Sequence, residues 1–138
     1  MDFTRRETLA LTGAAALTFV LPFRANAAVD DAIANFTGGA AVGDAGVELT
    51  APEIAENGNT VPISVSAPGA TAIMILAAGN PTPGVATFNF GPLAASQSAS
   101  TRMRLAGTQD VIAIAKLADG SFARSSKTVK VTIGGCGG

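Results

Sequence analysis

From Val47 onward the chain alternates short runs of β-branched and aliphatic residues with clusters of Gly, Pro, Asn, Asp and Ser. Runs of that length, each closed by a turn signal, predict an all-β sandwich of antiparallel strands. Seven strands are expected, near Val47–Leu49, Thr60–Ser66, Ala72–Ala78, Ala86–Phe90, Ser98–Leu105, Asp110–Lys116 and Ser121–Ile133, the last broken or bent near Ser125–Ser126. Between them, Asn57-Gly58, Pro68-Gly69, Asn80-Pro81, Pro83-Gly84 and Asp119-Gly120 supply either a positive φ or the fixed φ of proline. Period-two alternation is clearest in Val129, Val131 and Ile133, which predicts one buried and one wet face. Val111 to Ala115 is apolar on both faces, so a partner is expected to cover one of them. Alternation also sets Arg102 and Arg104, read as a solvated face, opposite Met103 and Leu105.

Ahead of the strands the period changes. Val29, Ile33 and Phe36 recur at i, i+4 and i+7, and Gly38-Gly39 follows, so a short helix over Asp30–Phe36 is expected to pack one face onto the body. Asp30 and Asp31 would then complement the dipole in its first turn.

Residues 1–27 read differently. Arg5 and Arg6 precede an apolar run from Leu9 to Phe23 that ends in Ala25-Asn26-Ala27. That is a three-part bacterial export signal with a small-x-small site, expected to be cut after Ala27, and the arginine pair points to the twin-arginine route. A membrane anchor fits less well. The run is about 15 residues against the roughly 20 needed to span a bilayer, and Gly13 and Pro22 interrupt it. The expected organisation is thus an export signal over 1–27, a sandwich domain over 28–133 and a tail over 134–138, with the mature protein soluble in the periplasm and without a membrane.

Charge and composition narrow the chemistry. From Ala28 onward there are 6 cationic and 8 anionic side chains, with no basic patch of the kind a phosphate backbone needs; no nucleic acid partner is expected. His is absent and Cys occurs once, which removes the usual general base and the commonest metal ligand. No metal, cofactor or catalytic residue is assigned. Tyr and Trp are also absent, so partners must be met through aliphatic contacts.

The one cysteine, Cys136, stands in the C-terminal sequence Gly134-Gly135-Cys136-Gly137-Gly138. Four glycines in five positions cannot make a core and lose much entropy on ordering, so the tail is expected to be a thin, flexible arm. An internal disulfide is excluded, because it needs a second cysteine. The position of Cys136 also fits neither a prenylation signal nor a lipoprotein cleavage site. The terminal carboxylate is closer in sequence than any cation, which disfavours the thiolate in the free protein. Three uses remain open: a covalent carrier whose thiol enters the active sites of other proteins, a periplasmic structural or interaction module dimerising through an intermolecular disulfide at Cys136, and a thiol oxidoreductase acting alone. The last lacks a resolving cysteine and a base.

The tail, together with Asp31-Ala32-Ile33, Phe36-Thr37-Gly38-Gly39, Leu49 through Gly58 (Leu-Thr-Ala-Pro-Glu-Ile-Ala-Glu-Asn-Gly) and Val61-Pro62-Ile63, resembles the SoxY family of the bacterial sulfur-oxidation system across essentially the whole mature chain. The resemblance implies an immunoglobulin-like sandwich, paired as a heterodimer with a SoxZ-like subunit exported alongside it. It implies a carrier with no active site of its own, holding sulfur intermediates on Cys136 while Gly134, Gly135, Gly137 and Gly138 form a swinging arm. The transient partners it implies are a haem-containing conjugating enzyme that joins thiosulfate to the cysteine as an S-thiosulfonate, a sulfate-releasing hydrolase and a sulfur dehydrogenase.

Overall fold

The period-two runs close into two sheets, and a helix covers the outer face of the larger one. The computed structural model describes residues 24–134. Its elements are α1 (Arg24–Thr37), β1 (Val42–Gly43), β2 (Glu48–Thr50), β3 (Ile54–Asn57), β4 (Val61–Ser66), β5 (Ala70–Ala77), β6 (Gly84–Asn89), β7 (Ser98–Met103), β8 (Gln109–Leu117) and β9 (Phe122–Ile133). The six-stranded sheet runs β1-β9-β8-β5-β6, with β3 also paired to β9, and the three-stranded sheet runs β2-β4-β7. This is an all-β, immunoglobulin-like sandwich with a short N-terminal helix.

The ladders between β8 and β9, β5 and β8, β5 and β6, β2 and β4, and β4 and β7 are antiparallel. The two strands beyond those expected, β1 and β3, are short edge segments that pair parallel with β9. β9 itself runs unbroken, so the expected break is absent. Ser125 and Ser126 sit in register opposite Ala113 and Ile112, so the ladder runs through them although neither brings apolar area.

The main core lies between the sheets, where Val61, Ile63 and Val65 of β4 meet Ile73 and Ile75 of β5 and Val111, Ala113 and Ala115 of β8. Each large aliphatic buried there contributes roughly 1.5–3 kcal/mol. Met103 and Leu105 join this core while Arg102 and Arg104 are exposed, as the alternation required. On the other face of the large sheet, Met74, Leu76, Ile112, Ile114 and Phe122 are covered by Val29, Ile33 and Phe36 of α1. The Phe36 and Phe122 rings meet edge to face, with centroids 5.9 Å apart. The second apolar face of β8 is therefore covered from within the chain, which corrects the expectation of a partner there.

α1 starts earlier than the expected Asp30. Its first turn consequently holds no acidic residue, and Asp30 and Asp31 lie inside it. It stops where expected: Gly38 adopts φ 66° and its N–H donates to the Ala34 carbonyl at 2.8 Å, a left-handed cap that glycine takes without strain. Between β4 and β5, Pro68 and a positive-φ Gly69 occupy the centre of a turn closed by Ala70 N–H to Ala67 O at 3.0 Å. Gly58, by contrast, does not use positive φ; Asn57 shapes that turn by accepting the Asn59 N–H on Oδ1 at 3.0 Å. Among the described residues no helix is long and apolar enough to cross a membrane.

Candidate functional site

β9 carries the chain toward the tail, and it leaves the core on the way. Val129 is fully buried, Val131 is half-buried and Ile133 is 67% exposed. The cause is register. Pairing between β8 and β9 begins at Gln109 opposite Val129, so Lys130 to Ile133 overhang the end of β8. β3 takes them over: Ile54 lies opposite Lys130, Ala55 opposite Val131 and Asn57 opposite Ile133. The segment Leu49 to Gly58, whose sequence carried the family resemblance, thus holds the end of the strand that leads into the tail.

Hydrogen bonds complete the attachment. The Lys130 N–H donates to Glu53 O at 2.9 Å, and the Gly58 N–H donates to Ile133 O at 2.7 Å. Gly58 is held in turn, its carbonyl accepting the Leu105 N–H at 2.8 Å. Thr108 Oγ1 accepts the Val131 N–H at 3.0 Å. Gly134 comes next, against the β7–β8 loop. A Cβ there would collide with the Ala106 carbonyl oxygen and stand 3.1 Å from its carbon, so only glycine permits the two backbones to approach this closely.

That loop is pinned from beneath by two buried amides. Asn80 Nδ2 donates to Arg104 O at 2.8 Å, and Asn80 Oδ1 accepts the Ala106 N–H at 2.9 Å. Gln109 Nε2 donates to Asn80 Oδ1 at 2.8 Å and to Gly107 O at 3.0 Å. Gln109 Oε1 accepts the Gly79 N–H at 2.9 Å. Gly79 fits this clasp because a Cβ at that position would come within 2.9 Å of Gln109 Cβ. No buried side-chain nitrogen or oxygen among the described residues lacks a partner.

Of the residues singled out from the sequence, Gly134 is the one the structure places, at the foot of the tail. Cys136, Gly135, Gly137 and Gly138 lie outside the described residues, as do Arg5 and Arg6. Asn80, Thr108, Gln109 and Gly58 were missed as parts of the site. Gln109 carried a usable signal, since it stands in phase with Val111, Ala113 and Ala115 and so falls on the core face, where a polar side chain must find partners. Asn80 read only as half of an Asn-Pro turn. Among the described residues no group of three or more His, Cys, Asp or Glu is placed to hold a metal ion. The turn between β8 and β9 carries one perturbed carboxyl: Asp119 is held below the ordinary carboxylate range by hydrogen bonds from the Ser121 hydroxyl and backbone N–H.

Comparison with known proteins supplies the family. The family model described as "Sulfur oxidation protein SoxY" matches residues 33–136. No curated protein matches the chain. Among solved structures, the sulfur carrier protein SoxY from Chlorobium limicola f thiosulfatophilum is 38% identical with a TM-score of 0.68, covering 78% of this chain and 99% of that one. The superoxide reductase (neelaredoxin) from Ignicoccus hospitalis is 18% identical with a TM-score of 0.56, covering 63% of this chain and 80% of its own. A putative superoxide reductase from Thermotoga maritima is 19% identical with a TM-score of 0.51, covering 62% and 84%. At those identities the two reductases share the sandwich and carry nothing about activity. Sequence and fold converge on the first relative, and the chain belongs to the SoxY family of sulfur oxidation proteins.

Proposed function

We propose that this protein is a covalent carrier of sulfur intermediates in thiosulfate oxidation, holding them on Cys136 and presenting them to partner enzymes. The observation that carries this reading is the family match, which runs through the sandwich and ends on Cys136, the single cysteine of the chain. The sandwich then serves as a scaffold and Gly134, Gly135, Gly137 and Gly138 as the arm. The chain is exported to the periplasm on the signal bearing Arg5 and Arg6, cut after Ala27, and paired with a SoxZ-like subunit.

In the loading step the Cys136 sulfur bonds to the outer sulfur of thiosulfate. The thiol proton passes to solvent and two electrons leave, one at a time, through the haem of the conjugating enzyme to its electron acceptor, leaving an S-thiosulfonate. Hydrolysis then breaks the bond to the sulfonate group: water supplies the oxygen that leaves in sulfate, and the outer sulfur stays on Cys136 as a persulfide for the sulfur dehydrogenase. The carrier's own surroundings need not activate the thiol, because each visiting enzyme supplies that chemistry.

Intact mass measurement of the mature protein, incubated with thiosulfate and the conjugating enzyme, tests this. A thiosulfate adduct on Cys136, reversed by a thiol reductant and absent in Cys136→Ser, is expected. Unmodified protein, or a disulfide-linked dimer as the sole product, overturns the reading in favour of none or of the dimerising module respectively.

A further inference from the structure

Ile133 raises a question that packing does not answer. At 67% exposed it has little apolar contact to keep the end of β9 in place, and strand ends without such contact fray. What holds it is polar. Ile133 is bonded to Gly58, Gly58 to Leu105, and Val131 to Thr108, so beyond the β3 ladder the last strand residues lean on the Arg104–Thr108 loop. That loop depends on Asn80 and Gln109, each 8% exposed, which grip its backbone at Arg104, Ala106 and Gly107. The two side chains are also bonded to each other in a buried contact, and partial shielding from water strengthens the bonds they make to the loop.

We propose that Asn80, Gln109 and Thr108 are positioning residues for the carrier arm: they fix the point at which the chain leaves the sandwich, at Gly134 and not within β9. The proposal deepens the carrier reading and rests on it for its purpose. Gly134, pressed against Ala106, is the last residue of the root. Cys136 is two residues further on, which keeps its Cα within about 7 Å of that of Gly134. Were β9 to fray back to Val129, the tether would be seven residues long and its reach about 24 Å. The effective concentration of a tethered group falls roughly as the −3/2 power of tether length, which makes the difference about sixfold. A fixed root thus concentrates the thiol before a docked enzyme.

The test measures backbone order and loading on the mature chain. In the wild type the Gly134 amide is expected to show an order parameter of about 0.85. Asn80→Ala and Thr108→Val should each bring Gly134 below about 0.6 while the amide of Ile114 in β8 keeps its value. Thr108→Ser should restore Gly134, because it keeps the hydroxyl. Thr108 is exposed, so its variants decide the matter even where Asn80→Ala fails to fold. Loading of Cys136 by the conjugating enzyme should slow about sixfold in the loosened variants. A Gly134 already disordered in the wild type, a Gly134 unmoved by Thr108→Val, or disorder without slower loading overturns the proposal. A wild type that takes no adduct at all overturns the carrier reading instead, and the order parameters still decide the root.

Discussion

At the scale of single residues, hydrogen bonds to side chains set both ends of β9. At its start, the Ser121 hydroxyl donates to Asp119 Oδ1 at 2.6 Å and the Ser121 N–H does so at 2.9 Å. Both favour the ionised carboxyl and lower its pKa. The sign of the linkage follows: with the folded pKa below the unfolded value of about 3.9, the contribution to stability is complete above that pH and is lost as pH falls through the folded pKa. Asp119 is fully exposed, and solvent screening keeps the contribution small. Ser121→Ala should raise the Asp119 pKa part of the way back, since the backbone donor remains. An NMR titration of its carboxyl carbon measures this, and an unchanged midpoint would show that the hydroxyl is not the cause. At the other end, the sequence revealed Gly134 as a glycine of the tail but gave no view of Ala106, because a steric requirement between residues 28 apart exists only after folding. Asn80 was hidden for the same reason: its acceptors and donors lie on a loop that only the sandwich brings beside it.

Among the elements, those with many residues in phase were legible and those with few were not. β4 alternates buried and wetter positions, and β5 and β8 carry long apolar runs buried on both faces, whereas β1 has two residues and β3 has four, too few to show a period. Both owe their pairing to β9, β1 at Phe122 and Ala123 and β3 between Lys130 and Ile133. The helix was legible from Val29, Ile33 and Phe36, but its role was not, since the apolar outer face of β8 gave no sign of what covers it. If the chain is cut after Ala27, the first turn of α1 is removed and all three contact residues are kept. Asp30 and Asp31 then come close to the new helix start, where a negative charge is favourable. Phe36→Ala tests the cover. It removes a half-buried ring from Phe122 and the sheet, and about 2 kcal/mol is expected, below the 3–5 of a fully buried ring. For a domain of this size that corresponds to a fall in Tm of about 10 °C, read by circular dichroism; a fall under about 2 °C would mean that α1 is dispensable to the fold.

In the whole molecule, the part that folds and the part assigned the chemistry are separated along the chain. The buried residues of both cores lie between Val29 and Val129, and Cys136 follows seven residues after the last of them. Substitutions away from a packed core usually stay within about 0.5 kcal/mol. Cys136→Ala should therefore leave the Tm of the mature protein and its co-purification with the second subunit unchanged, while abolishing adduct formation. That combination separates the carrier from a module that dimerises through Cys136, in which the same substitution would dissolve the assembly and, with it, any stability gained from association. Thermal denaturation and gel filtration of wild type and variant side by side make the measurement. A clear drop in Tm, or loss of the second subunit, would place Cys136 inside a structural interface and remove the physical basis for treating the tail as an arm.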